Sequence, residues 1–100
     1  METFLYIKQQ IDEVIKSLGY NFNNAITRAT VENKIHKILN NHACEGKIID
    51  YTVICDERNN PPSVIENNDI VANITWIDSF KQKHNYEVNF QKIIKEQHEN

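Results

Sequence analysis

His36, His42, Cys44 and Asp56 are the residues whose types could do chemistry. Imidazole, thiolate and carboxylate are the donors that zinc takes, and a cysteine beside a histidine is the raw material of a nucleophile and its base. Their spacing builds neither site. His36 and His42 are six apart on or near a helix, which puts the two rings on opposite faces, and no paired-ligand spacing accompanies them. Cys44 lies beside His42 in the chain, a placement that rarely gives the oriented hydrogen bond a thiol needs, and no third group orients the pair. Asp56 and Glu57 with Arg58 resemble an acid pair, but carboxylates at a strand end beside prolines more often accept hydrogen bonds from loop N–H groups. The expectation is no catalytic residue, no metal, no cofactor and no enzyme.

The chain has 100 residues, 40% of them hydrophobic, which suits one domain with a small core. A net charge of -3 and a pI near 5.7, with the eleven Lys and Arg scattered, give no electrostatic reason to expect nucleic acid. The weaker rival reading, a nucleic-acid binder, needs Lys81, Lys83, His84, Lys92 and Lys95 on one basic face. No basic segment precedes an apolar one and no run approaches the roughly 20 apolar residues that span a bilayer, so no membrane partner is expected. Cys44 and Cys55 make no CxxC pair and read as reduced thiols of a soluble protein made in a cytosol.

The elements that must position these residues follow from periodicity. Phe4, Ile7, Ile11, Val14, Ile15 and Leu18 recur at threes and fours and draw one apolar stripe along a helix, closed by Gly19 at a left-handed cap. A linker, Tyr20 to Asn24, leads to a second helix with Thr27 or Thr30 as N-cap and Val31, Ile35, Ile38 and Leu39 inward; Tyr20 and Phe22 plug the open end of the pair. From Ile48 the period becomes two. Ile49, Tyr51, Val53 and Cys55 face one way, and Asp50, Thr52 and Ile54 the other. A second strand runs from about Ile70 to Ile77, and a third places Tyr86, Val88 and Phe90 on one face. Consecutive strands prefer to be neighbours, so the fold class is α+β: two N-terminal helices packed on a small, mainly antiparallel three-stranded sheet. Residues 1–90 form the domain and 91–100 a polar tail.

Between the first two strands lies the most specific segment. Pro61 and Pro62 fix φ and withhold two backbone donors, while Asn59 and Asn60 tolerate turn geometry, so the strand through Val53 stops near Asp56. Asp56, Glu57, Asn59, Asn60, Pro61 and Pro62 are read as a loop that holds one shape. A three-stranded sheet is marginal alone, and its edges carry no obvious blocker, which invites another chain to add a strand.

From about Phe4 to Phe90 the chain resembles the C-terminal domain of the tail sheath protein of contractile-tailed phages. The likeness rests on the amphipathic helix, the aromatic and Asn segment at Tyr20 to Asn24, the Thr27-Arg28-Ala29 helix start and Gly46 leading into a strand. Its most specific part is the ordered set Asp50, Tyr51, Val53, Cys55, Asp56, Glu57, Asn59, Asn60, Pro61, Val64, Ile65, Asn68 and Val71. After Trp76 the chain departs from the family, with Ile77-Asp78-Ser79-Phe80 and a polar Lys81 to Asn85 where a Lys-Pro and a more apolar strand are usual.

The resemblance implies a structural handshake module whose sheet is completed by strands from neighbouring subunits, the partners being sheath subunits and baseplate or tail tube proteins in a ring or helical oligomer. A sheath subunit is several times longer, so a domain beginning at Met1 suits a sheath initiator at the baseplate; a sheath component, a terminator or a one-partner adaptor are the alternatives. The localisation implied is the virion, after synthesis in the host cytoplasm. The strand positions Tyr86, Val88 and Phe90 are the expected partner contact.

Overall fold

The computed structural model describes residues 3–18, 23–67 and 69–93. Helix α1 spans Thr3–Leu18, α2 spans Ala25–Cys44, β1 spans Ile48–Ile54, α3 spans Pro62–Glu66, β2 spans Val71–Asp78 and β3 spans Lys83–Asn89. The three strands form one antiparallel sheet in the order β1-β2-β3. The α+β architecture is therefore as expected, with α3 as the addition: Pro61 and Pro62 start a short helix inside the segment expected to be loop.

Both long helices cover one face of the sheet. A helix the length of α1 is marginal alone, so its burial decides the matter: Ile7, Ile11 and Ile15 are fully buried, each contributing about 1.5–3 kcal/mol. Phe4 stacks on Trp76 at 5.4 Å between ring centroids, and Tyr86 donates a hydrogen bond to Asp12, so α1 lies over β2 and β3. Helix α2 buries Val31, Ile35, Leu39 and His42 and meets β1, where His36 and Tyr51 make an edge contact at 5.1 Å. Ala72, Ile74, Trp76 and Val88 face the same core from the sheet.

Three local expectations are corrected. Helix α2 starts at Ala25 because Asn24, not Thr27 or Thr30, is the N-cap: its Oδ1 accepts the Thr27 N–H at 2.9 Å. Thr30 instead bonds back to the Ile26 carbonyl. Ile49 does not share the inner face with Tyr51, Val53 and Cys55, because a register shift between Ile48 and Asp50 makes it the extra residue of a bulge; Ile48 is buried in its place and Ile49 is 57% exposed. Phe90 ends up beyond β3, where the chain turns helical as Asn89 Oδ1 accepts the Lys92 N–H. Ile93 is buried with the core. Gly19, Tyr20 and Phe22 lie outside the described residues.

The connections follow simple rules. Gly46, at φ 77, closes α2 with the paired bonds Lys47 N–H to His42 O and Gly46 N–H to Ala43 O, the Schellman pattern that needs a left-handed residue there. The β2–β3 hairpin turns through Ser79, Phe80 and Lys81, with Lys81 N–H on Asp78 O and Lys81 itself at φ 68. That is a type I turn followed by a left-handed residue, a position where Gly carries no Cβ penalty. Lys81→Gly is accordingly expected to raise the urea midpoint, by up to about 1 kcal/mol of stability. An unchanged or lowered midpoint would show that the lysine side chain makes up for its backbone strain.

Candidate functional site

The loop after β1 is assembled by side chains that act as backbone. Asn59 Oδ1 accepts the Asp56 N–H at 3.1 Å and its Nδ2 donates to Ile54 O at 2.8 Å, turning the chain away from the sheet. Asn60 is 1% exposed, and its carboxamide faces Val71 on both counts: Oδ1 accepts the Val71 N–H and Nδ2 donates to Val71 O, each at 2.9 Å. This is the two-bond exchange a strand residue would make, so one side chain continues the β1–β2 ladder a step past the end of β1. Asn23 Nδ2 donates to Asn60 Oδ1 at 2.9 Å and to Asp69 O at 2.8 Å, while Asn23 Oδ1 accepts from the Arg28 guanidinium. The start of α2, the loop and the start of β2 are thus tied through one buried carboxamide.

The other expected loop residues have lesser parts. Asp56 accepts the Arg58 N–H and pairs with its guanidinium at 2.7 Å; hydrogen bonding to Arg58 holds its carboxyl below the usual range, but the pair is open to solvent and adds little stability. Glu57 is exposed and contributes only its charge beside Arg58. Pro61 caps α3, its carbonyl accepting the Val64 and Ile65 N–H groups, with Pro62 at the first helical position. Asn23 and Asp69 were missed from sequence, because their partners lie far away in the chain.

The strand expected to meet a partner is an outer one. The bonds Asp78 N–H to Gln82 O and Phe90 N–H to Ile70 O bracket the β2–β3 ladder, so by alternation His84, Tyr86 and Val88 direct their backbone groups at β2. Lys83, Asn85, Glu87 and Asn89 direct theirs away, toward an edge that no strand covers among the described residues. The side chains of Val88 and Phe90 are buried in the core, and Tyr86 is half-buried under α1 with Lys8 over its ring at 5.1 Å. Tyr86, Val88 and Phe90 therefore anchor the edge from behind, and the accessible part is the alternate set.

The candidate chemical residues are not brought together. Cys55 is buried, and burial first, then the Glu32 charge, pushes its thiol up to about 12, so it stays a neutral core group. Cys44 is exposed. His36 is exposed where α2 faces β1, its Nε2 3.2 Å from the Tyr51 hydroxyl, and among the described residues no cluster could hold a metal ion. His42 is buried against Tyr6, with Nε2 at 2.7 Å from Gln10 Oε1. Its place in the series Val31, Ile35, Leu39, His42 was a helical-period signal available from the sequence.

Two outcomes test this geometry. Asn60→Ala strands the N–H and C=O of Val71 and removes one of the two acceptors of the Asn23 amide, so urea denaturation is expected to show a loss of about 2–4 kcal/mol; a loss under about 1 kcal/mol would mean that the carboxamide does not close the ladder. Burial, followed by the Lys47 charge, lowers the His42 pKa below its ordinary 6.5. The unfolded chain then takes up a proton that the folded chain refuses, so this contribution is complete above about 6.5 and is lost as the pH falls below it. The urea midpoint should drop between pH 7.5 and 5.5, and less so in His42→Gln; equal drops would assign the acid sensitivity elsewhere.

No family model and no solved structure matches the chain. Two curated proteins do. The tail sheath protein of Vibrio phage KVP40 is 37% identical over 71 residues, covering 71% of this chain and 11% of that protein. The tail sheath protein of Enterobacteria phage T4 is 36% identical over 69 residues, covering 69% of this chain and 10% of that protein. The chain thus spans about a tenth of the length of the curated relatives it matches. The resemblance drawn from the loop and its flanking strands is borne out: by sequence, this is a domain related to part of the phage tail sheath proteins.

Proposed function

We propose that the chain is a non-enzymatic structural domain of a phage contractile tail, which joins tail sheath subunits by strand exchange. The observation that carries this reading is the sheet with its two outer strands open among the described residues, in a chain similar to two tail sheath proteins. An open edge adds a strand from another chain through main-chain hydrogen bonds, and a head-to-tail contact that does not close produces a ring or a helical tube. On β3 the exchanged strand meets the outward backbone of Lys83, Asn85, Glu87 and Asn89, held straight by Tyr86, Val88 and Phe90. The loop from Asp56 to Pro62 keeps the sheet end in shape.

The finer parts of the proposal are position and partners. The domain acts as sheath initiator at the baseplate, with sheath subunits on one side and baseplate or tube proteins on the other. Synthesis in the host cytoplasm and residence in the virion tail follow from that role.

Glu87→Pro tests the reading. Glu87 is exposed, and its N–H points away from β2, so proline removes an outward donor and leaves the β2–β3 ladder whole. The monomer should keep its circular dichroism while incorporation into tails falls about tenfold or more, the equivalent of one added strand bond lost with a clash. Val88→Pro is the contrast: it breaks a bond to β2 inside the core and should unfold the domain. Normal incorporation of Glu87→Pro would remove β3 as the exchanged edge.

A further inference from the structure

Phe80 is 85% exposed, more than any other large apolar side chain among the described residues, and it stands at the tip of the β2–β3 hairpin. The tip is built to hold it there. Asp78 Oδ1 accepts the Phe80 N–H at 2.8 Å and the Gln82 N–H at 3.0 Å, and Asp78 Oδ2 is bound to His84 Nε2 at 2.8 Å. Lys81 and Lys83 follow Phe80 in the hairpin, both exposed and without an ion pair among the described residues. An exposed aromatic side chain on a backbone-pinned turn, with two free ammonium groups close by in the chain, has the make-up of an interface anchor: apolar area with charge to orient it.

A complementary surface exists on the same molecule. Between α2 and β1 lies a groove of about 530 Å³ lined by Glu32, Asn33, His36, Asp50, Tyr51 and Val53. It holds two carboxylates and no lysine or arginine, and Tyr51 and Val53 supply its apolar wall.

We propose that the Phe80 tip of one copy docks in the α2–β1 groove of a second copy, the ring against Tyr51 and Val53 and the ammonium groups of Lys81 and Lys83 facing Glu32 and Asp50. Charge complementarity selects this occupant. The chain's net charge of -3 disfavours the other surface a basic aromatic tip could enter, an anionic lipid headgroup layer. Tip and groove are different patches, so a docked pair keeps one free tip and one free groove, and the contact propagates head to tail. It uses side chains rather than the sheet edge, and so stands independently of strand exchange.

Sedimentation of the full chain from about 1 to about 300 μM tests it, the range expected for a small contact. The average mass should rise with concentration and fall toward 11.8 kDa as salt screens the pairs. Phe80→Ser, at a site too exposed to affect folding, should weaken association about tenfold or more. The variant Lys81→Glu with Lys83→Glu and the variant Glu32→Lys with Asp50→Lys should each stay monomeric, and an equal mixture of the two should associate again. A monomer throughout the range, association that survives Phe80→Ser, or a mixture that stays monomeric would overturn the proposal. Association lost in Glu87→Pro but kept in Phe80→Ser would assign it to the strand edge instead. Phe80-dependent sedimentation with phosphatidylserine vesicles, without self-association, would reassign the tip to a membrane.

Discussion

Asn60 is the constraint on which the rest of the sheet depends. β1 stops at Ile54 while β2 begins at Val71, and the register would leave Val71 facing empty space with two backbone groups unpaired. A buried orphan of that kind costs on the order of 1–3 kcal/mol, comparable with a large part of a small domain's stability. The Asn60 carboxamide fills the position, and because Asn23 bonds to it and to Asp69, the same group also places the start of α2. Closing the sheet end in this way holds the central strand β2 along its length and confines the open backbone to the outer strands.

The core explains why those outer strands are presented rather than frayed. Trp76, Phe4 and His84 form a three-ring cluster in which each ring meets the other two, and Val88 and Phe90 anchor β3 and the turn after it beneath α1. Inner-face residues spend their side chains on packing, which leaves the alternate residues of β3 exposed with their backbone outward. The titratable groups tell the same story: Cys55 and His42 are kept neutral by burial and serve packing, and Asp56 and Asp78 spend their carboxylates on turns. An architecture that invests its polar chemistry in loop shape and exposes strand edges suits assembly.

Much of this was legible in the sequence, and the misses share a cause. The stripe from Phe4 to Leu18, the alternation through Tyr51 and Val53, and the stop near Asp56 are local patterns, and the helices and strands lie close to where those patterns put them. That Asn-Asn-Pro-Pro would turn the chain was also legible, since the run has few conformations. Which asparagine closes the ladder was not, because Asn60 finds Val71 only after β2 has folded back. Ile49 was misplaced for a similar reason: a bulge is a property of the pairing with β2, invisible in β1 alone. Asn24 displaced Thr27 and Thr30 because all three types can cap, and it is the Asn24 side chain that accepts the Thr27 N–H. His42 was weighed only as a metal ligand or base, although its spacing from Leu39 belongs to the buried stripe.

The central claim is that this fold is a building part of a contractile tail, and the most direct measurement is quantitative protein content with immunogold labelling of purified particles. The account predicts label confined to the baseplate end of the tail, at a copy number that matches one ring of subunits. Absence from particles, with the chain bound one to one to a single soluble partner, would contradict it.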